Sequence, residues 1–263
     1  MVAAFSGWND AGDAATGAVE HLWQEWGAQS FASVDPEEFM DFTATRPEAR
    51  VENGITSPLE WPSTDFGWCS PAGSPSVVLV RGPEPNHRWR TYSETLLGVA
   101  TELGCSAVVT IGALLSEVPH TRPTPVFCTA HEPHLIDALP LPTSNYEGPT
   151  GIPAALHEAA HLAGFDSVAL WAATPAYAAG VPSPKGALAL VEQVARIVGA
   201  AVAIDDLLEE SDRYEEQLDA LVAEDEDTLT YLRGLEEGYD SDSVALRSGD
   251  ELVEEVENFL RDQ

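Results

Sequence analysis

Val2-Ala3-Ala4-Phe5, then Gly7-Trp8-Asn9-Asp10-Ala11-Gly12-Asp13, then an amphipathic stretch to Trp26 set the pattern of this chain. The four apolar residues read as a buried strand and the Gly/Asp-rich run as a loop. Beyond it Val19, Leu22, Trp23 and Trp26 fall on one face of a helix expected over residues 11–26. Four more loops of Gly, Pro, Arg, Trp and Asn follow. They are Gly82-Pro83-Glu84-Pro85-Asn86-His87-Arg88-Trp89, Pro119-His120-Thr121-Arg122-Pro123, Tyr146-Glu147-Gly148-Pro149-Thr150-Gly151 and Pro182-Ser183-Pro184-Lys185.

Further strands are expected at residues 30–34, 39–42, 77–80, 107–111, 125–130 and 167–172, and helices at 92–103, 152–163 and 185–198. The excursion from Arg46 to Pro75 reads as an irregular β meander. Strands alternating with helices predict a three-layer α/β/α domain with a mostly parallel sheet. Such a sheet gathers the loops after its strands at one edge, where ligands and partners bind.

A second segment follows. Residues 205–263 carry 22 Asp/Glu against 4 Arg, a net of −18 out of −32 for the chain. Leu207, Leu208, Tyr214, Leu218, Leu221, Val222, Leu229, Leu232 and Leu235 recur there at helical spacing, as do Leu252, Val253, Val256, Phe259 and Leu260. We divide the chain into a core domain at 1–204 and an acidic helical domain at 205–263, with one short strand-like run at 243–246. The acidic segment reads as a helical appendage with a solvated face; a partner-binding arm is the sharper alternative.

With 12 basic and 44 acidic residues, the chain repels phosphate backbones and anionic lipid, which argues against nucleic-acid and membrane partners. Cys69, Cys105 and Cys128 fit no metal or redox spacing and form no disulfide framework, which suits a reducing cytoplasm. The start of the chain lacks a signal peptide's basic region.

His157-Glu158-Ala159-Ala160-His161 is a literal H-E-x-x-H, a zinc-hydrolase spacing. Ser167 stands where a third ligand would be expected, and the helix joins a Gly-rich loop to a buried strand. Coincidence on a crossover helix is the better account, so we assign neither metal nor cofactor. No nucleophile elbow, dinucleotide fingerprint or P-loop occurs. The candidate site is therefore the loop edge itself: Trp8, Asn9, Asp10, Asp13, Glu84, Arg88, Trp89, His120, Arg122, Tyr146, Glu147, Thr150, Tyr177 and Lys185. Within it Asp10 reads first as a helix cap. Lys185, the one lysine in the sequence, stands at a helix start where a cation is locally unfavourable. It therefore needs a carboxylate partner or a ligand, and a salt bridge to an edge Glu is the favoured reading.

The loops resemble those of the proteasome assembly chaperone 2 family, in its actinobacterial-type branch. The matching residues are Gly-Trp-Asn-Asp-Ala-Gly-Asp-Ala-Ala at 7–15, Glu-Pro-Asn-His-Arg-Trp-Arg at 84–90 and Pro-His-Thr-Arg-Pro at 119–123. Gly-Pro-Thr-Gly-Ile at 148–152, Leu-Trp-Ala-Ala-Thr-Pro-Ala-Tyr at 170–177 and Pro-Ser-Pro-Lys at 182–185 complete the set. The resemblance implies a phosphorylase/hydrolase-like α/β/α fold with a small helical domain, self-association, and proteasome subunits as partners. It brings no catalytic residues. Ring-docking chaperones of the family end in a hydrophobic-Tyr-any tail, and the Leu260-Arg261-Asp262-Gln263 end departs from it. The chain also starts inside the first strand, so either residues precede Met1 or Met1 is a late start.

The leading expectation is a cytoplasmic, non-catalytic assembly protein that forms homo-oligomers. The rival is a small-molecule binder or enzyme (phosphorylase/hydrolase-like, or a ligase) using the loop edge as a pocket. A zinc hydrolase stands third.

Overall fold

A computed structural model describes residues 1–241. Its centre is a seven-stranded sheet in the order β2-β5-β6-β1-β7-β9-β8. These strands are β1 (Val2–Ser6), β2 (Gln29–Val34), β5 (Thr64–Cys69), β6 (Val77–Pro83), β7 (Ala107–Ser116), β8 (Val126–Ala130) and β9 (Asp166–Pro175). A separate two-residue pairing, β3 (Val51–Glu52) with β4 (Ile55–Thr56), closes around Asn53-Gly54.

The four central strands β6, β1, β7 and β9 are parallel. Because both faces of the sheet are covered, their sequences are continuous apolar runs, such as Val77-Val78-Leu79-Val80, all buried. The mostly parallel sheet expected from the sequence has antiparallel pairings at its margins: β5 is antiparallel to β6, β2 to β5, and β8 to β9. Connection length explains it. Seven residues join β5 to β6 and nine join β7 to β8, too few for the crossover that a parallel return needs.

Helices α1 (Ala14–Glu25) and α5 (Pro184–Val198) cover one face of the sheet. α1 buries Ala14, Ala15, Ala18, Val19, Leu22 and Trp23, a single stripe at helical spacing. Small residues let the two helices approach closely: Gly186 stands against Ala14, and an added Cβ would come within 2.9 Å of the Ala14 methyl. On the other face, α2 (Trp89–Glu102) and α4 (Ile152–Leu162) bury Tyr92, Leu96, Leu97, Ala100, Ile152, Leu156 and Ala160 with Phe5 and Phe66. A short helix, α3 (Pro133–Ala138), follows β8 and carries no buried residue, so it lacks the periodicity that would announce it.

Other elements correct the sequence reading. The first helix starts only at Ala14, since Gly12 (φ 63°) and Asp13 (φ 50°) are left-handed and interrupt it. Residues 39–42 are no strand: Asp35 accepts from the Glu37 amide, Pro36 opens a tight turn, and the chain rolls over so that Phe39 and Met40 are buried. β5, placed by the sequence in a peripheral meander, is an integral strand of the main sheet.

Beyond α5, α6 (Asp205–Ala223) and α7 (Glu226–Asp240) touch each other and lie at the C-terminal edge of the parallel strands. α6 docks through Leu207, Tyr214, Leu218 and Val222. The strand-like run at 243–246 and the apolar pattern at 252–260 lie outside the described residues.

Candidate functional site

The topology brings all five loops to one edge, and backbone and side-chain contacts tie them together. Asn9 opens the first loop beside β7, its carbonyl accepting from the Ala113 amide at 2.8 Å. Gly7 (φ 131°) lies against Glu84 of the second loop. The Gly12 carbonyl accepts from the Ser183 amide of the fifth loop at 2.7 Å. A side chain at Gly12 would strike Ser183 and Val181, so both its φ and its surroundings require glycine.

Asp10 is the cap that the sequence predicts. One carboxylate oxygen accepts from the amides of Ala15 (2.7 Å) and Thr16 (3.2 Å), and the other from the Thr16 hydroxyl. Burial pushes its carboxyl above the ordinary range, against the pull of those donors. Glu84 caps α4 in the same way from a distant loop, accepting from the Ile152 amide at 2.7 Å. Asn9, 9% exposed, turns its side-chain carbonyl towards Gly151 on the same side as Glu84, and that oxygen has no donor. The Asn9 amide and the Glu84 carboxylate thus flank Gly151, where the first, second and fourth loops meet.

The edge then divides in two. On one half α6 and α7 consume its cations. Lys185 Nζ donates to the His120 carbonyl at 2.5 Å and forms an ion pair with Glu215 of α6. Its carboxylate partner therefore comes from the acidic helix and not from an edge loop. Arg122 grips Asp240 of α7 bidentately at 2.8 and 2.8 Å and reaches Glu236 at 3.2 Å. The guanidinium pKa is raised and that of Asp240 lowered, in each case first by their mutual hydrogen bonds.

His120 is fully buried between Tyr177 and α6. The Tyr177 hydroxyl accepts from the His120 amide at 2.8 Å and lies 2.6 Å from Nδ1, while Nε2 faces Asp219 at 3.2 Å. A neutral imidazole with its proton on Nε2 satisfies all three contacts. Burial, the largest influence, lowers its pKa and favours that form. Burial likewise raises the Tyr177 phenol far above its ordinary value.

The other half is open. Trp8 is 53% exposed, and Asp13, Arg88, Glu147 and Thr150 of the first, second and fourth loops are exposed as well. Arg88 pairs with Glu38 and lies 6.0 Å above the Phe39 ring. Trp89 donates its indole N–H to the Pro85 carbonyl at 2.5 Å, and Tyr146 its hydroxyl to the Pro149 carbonyl at 2.8 Å. Asp13 (φ 50°) and Arg88 (φ 56°) are left-handed non-glycine residues, each immediately before the helix that follows a central strand. The third such residue, Asn53, sits in an ordinary Asn-Gly turn. Strain of about 1–3 kcal/mol per position tends to persist where a functional surface holds it.

His157 and His161 do not point at a common centre. The His131 ring is inserted between them, stacked at 4.6 Å from His157 and 4.3 Å from His161. His157 is buried with Nδ1 at 2.6 Å from the Ser167 hydroxyl, and burial followed by the neighbouring histidines lowers its pKa to about 4. Ser167, the residue in the expected third-ligand position, is thus this histidine's hydrogen-bond partner. An acid-lined groove of about 600 Å³ runs between α1, residues 181–184 and α6; none of His120, Arg122 and Lys185 lines it.

Sequence reasoning missed the carboxylates Glu215, Asp219, Glu236 and Asp240, and His131. Their pairing at four-residue spacing on one helix face, 215 with 219 and 236 with 240, is the one signal that could have singled them out.

The profile of the PAC2 family matches residues 4–222, nearly the whole core and nearly all of α6. The chain belongs to the PAC2 family. A PAC2 family protein from Streptomyces avermitilis is 41% identical, with 88% of this chain and 98% of that one covered at a TM-score of 0.82. A proteasome-assembly chaperone homologue from Mycobacterium tuberculosis is 40% identical over the same shares, with a TM-score of 0.81. PbaB from Pyrococcus furiosus, an archaeal proteasome activator, shares the fold at 20% identity, with 84% of this chain and 91% of that one covered and a TM-score of 0.67. No curated protein matches this PAC2 chain. Among its described residues, no helix is long and apolar enough to cross a membrane.

Proposed function

We propose that this PAC2 protein is a non-catalytic, cytoplasmic assembly protein that self-associates and takes proteasome subunits as partners. The likeness to the mycobacterial proteasome-assembly chaperone homologue, 40% identical over 98% of that chain, carries the reading. The site's chemistry agrees with it. The edge groups that could hold an anionic substrate, the cations Arg122 and Lys185 and the neutral His120, are engaged by carboxylates of the same chain. That pairing weighs against the small-molecule pocket.

The open half of the edge has the make-up of a protein-contact surface. Trp8 is the anchor, since a half-exposed tryptophan on a rigid, hydrogen-bonded loop loses little conformational freedom on binding. Capture of the tagged full-length protein from its own host, with mass spectrometry of what co-purifies, tests the reading. Proteasome subunits in fixed ratio are expected with the wild type, and sharply less with Trp8→Ala. Recovery of the wild type alone would overturn it.

A further inference from the structure

The two acidic helices are held by different forces. α6 contributes Leu207, Tyr214 and Leu218 to apolar clusters shared with the core. α7 contributes no side chain to any such cluster among the described residues, and Leu232 is its one buried residue there. α7 meets the core through a polar clasp on the 117–123 loop and an edge-on contact between the Tyr231 and Tyr177 rings, their centroids 6.1 Å apart. Arg122 holds Asp240 and Glu236, the Thr121 hydroxyl donates to Glu236 at 2.5 Å, the Tyr239 hydroxyl to the Pro123 carbonyl at 3.0 Å, and the Tyr231 hydroxyl to Glu117 at 3.3 Å.

The loop is built beforehand for this contact. Pro119 and Pro123 bracket it, and the buried His120 pins it from beneath through Tyr177 and Lys185. Arg122 thus presents a planar fork from a fixed base, which suits two carboxylates four residues apart on a helix. The connection from α6 is short: Ala223 ends α6 and Asp225 already caps α7, accepting from the Thr228 amide at 2.9 Å. Two residues, 224 and 225, thus separate α7 from α6, which has its own apolar contacts with the core.

We propose that the 119–123 loop is a docking site for an acidic helix, which α7 fills in cis and which a partner helix with carboxylates four residues apart can take over. The net charge of −32 opposes an acidic helix at long range, so the attraction is local: Arg122 meets two carboxylates four residues apart, at 2.8 Å and 3.2 Å. The inference goes beyond the assembly reading and stands on these contacts alone.

A fluorescent synthetic peptide of residues 224–241 is the probe, titrated by anisotropy at low salt against three full-length proteins. These are the wild type, a Glu236→Gln/Asp240→Asn variant whose own arm is neutralised, and that variant with Arg122→Gln added. The tethered arm competes at high effective concentration, so the neutralised variant is expected to bind the peptide about tenfold or more tightly than the wild type. Arg122→Gln should abolish that gain. Equal binding to wild type and neutralised variant, binding indifferent to Arg122→Gln, or no binding to any of the three would overturn the proposal. Hydrogen exchange on the wild type gives an independent measure. The amides of 226–240 should lose protection at about 0.5 M salt while those of α6 keep theirs; α7 remaining as protected as α6 would also overturn it.

Discussion

Acidification should destabilise this protein in part through His157. Its ring is 7% exposed, bonded to Ser167 and stacked on His131, and its pKa falls to about 4. In the unfolded chain the same imidazole titrates near ~6.5. Because the folded value is the lower one, the unfolded state binds the proton more tightly. The stability that the neutral ring confers is complete above pH ~6.5 and drains away as pH falls towards ~4. Linkage between those two values gives a loss of about 2 kcal/mol at pH ~5 and about 3 kcal/mol at pH ~4. The test compares urea midpoints of wild type and His157→Asn near pH 7.5 and pH 5, since the amide keeps a polar partner for Ser167 without a titrating group. The difference between the two proteins removes the contributions that do not depend on residue 157. The wild type should lose about 2 kcal/mol more than the variant over that interval. Equal losses would show that His157 takes its proton without unfolding, and would refute the buried, neutral histidine inferred here.

Other consequences follow from the edge. Gly151→Ala pushes a methyl into Asn9 and Glu84 and should cost about 1–3 kcal/mol in thermal or urea unfolding; a neutral result would mean that the first, second and fourth loops are not locked together. Lys185→Met strands Glu215 and the His120 carbonyl and should cost about 1–2 kcal/mol, partly recovered by adding Glu215→Leu. An unchanged midpoint would instead assign the ammonium to a ligand. The Asp240 pKa is lowered by Arg122, so the α7 clasp is intact at neutral pH and is lost as pH falls through that lowered value, below the ordinary carboxylate pKa of ~3.9; exchange of the 226–240 amides at pH ~3 and ~6 reads it directly. Chelation with EDTA should leave the unfolding midpoint where it is, whereas a fall would reinstate the H-E-x-x-H histidines as metal ligands.

Much of the fold is legible because local chemistry and global packing agree in it. Val77-Val78-Leu79-Val80 has no polar residue and therefore needs cover on both faces. The α1 stripe has the helical period, and Asp10 stands where a cap is needed. Where the reading failed, the deciding interaction is distant in sequence. β5 has an alternating pattern that the Pro- and Trp-rich excursion around it obscures, and its place is fixed by pairing with β2 and β6. Residues 39–42 are apolar enough for a strand, yet the Phe39 carbonyl accepts from the amides of Asn86 and His87 in the second loop.

The candidate site divides along the same line. By itself the sequence determined the loop set, the residue types on it, the H-E-x-x-H spacing and the acidic segment, because each is a property of consecutive residues. Only the tertiary structure decided what those residues do. It placed Glu215 on Lys185, Asp240 on Arg122 and Glu84 on the start of α4, and it slid His131 between the two histidines of the motif. The physical reason is that a charge or an imidazole takes its character from whichever group comes within a few ångströms. For Arg122 that group lies 118 residues along the chain, a separation that no local pattern encodes.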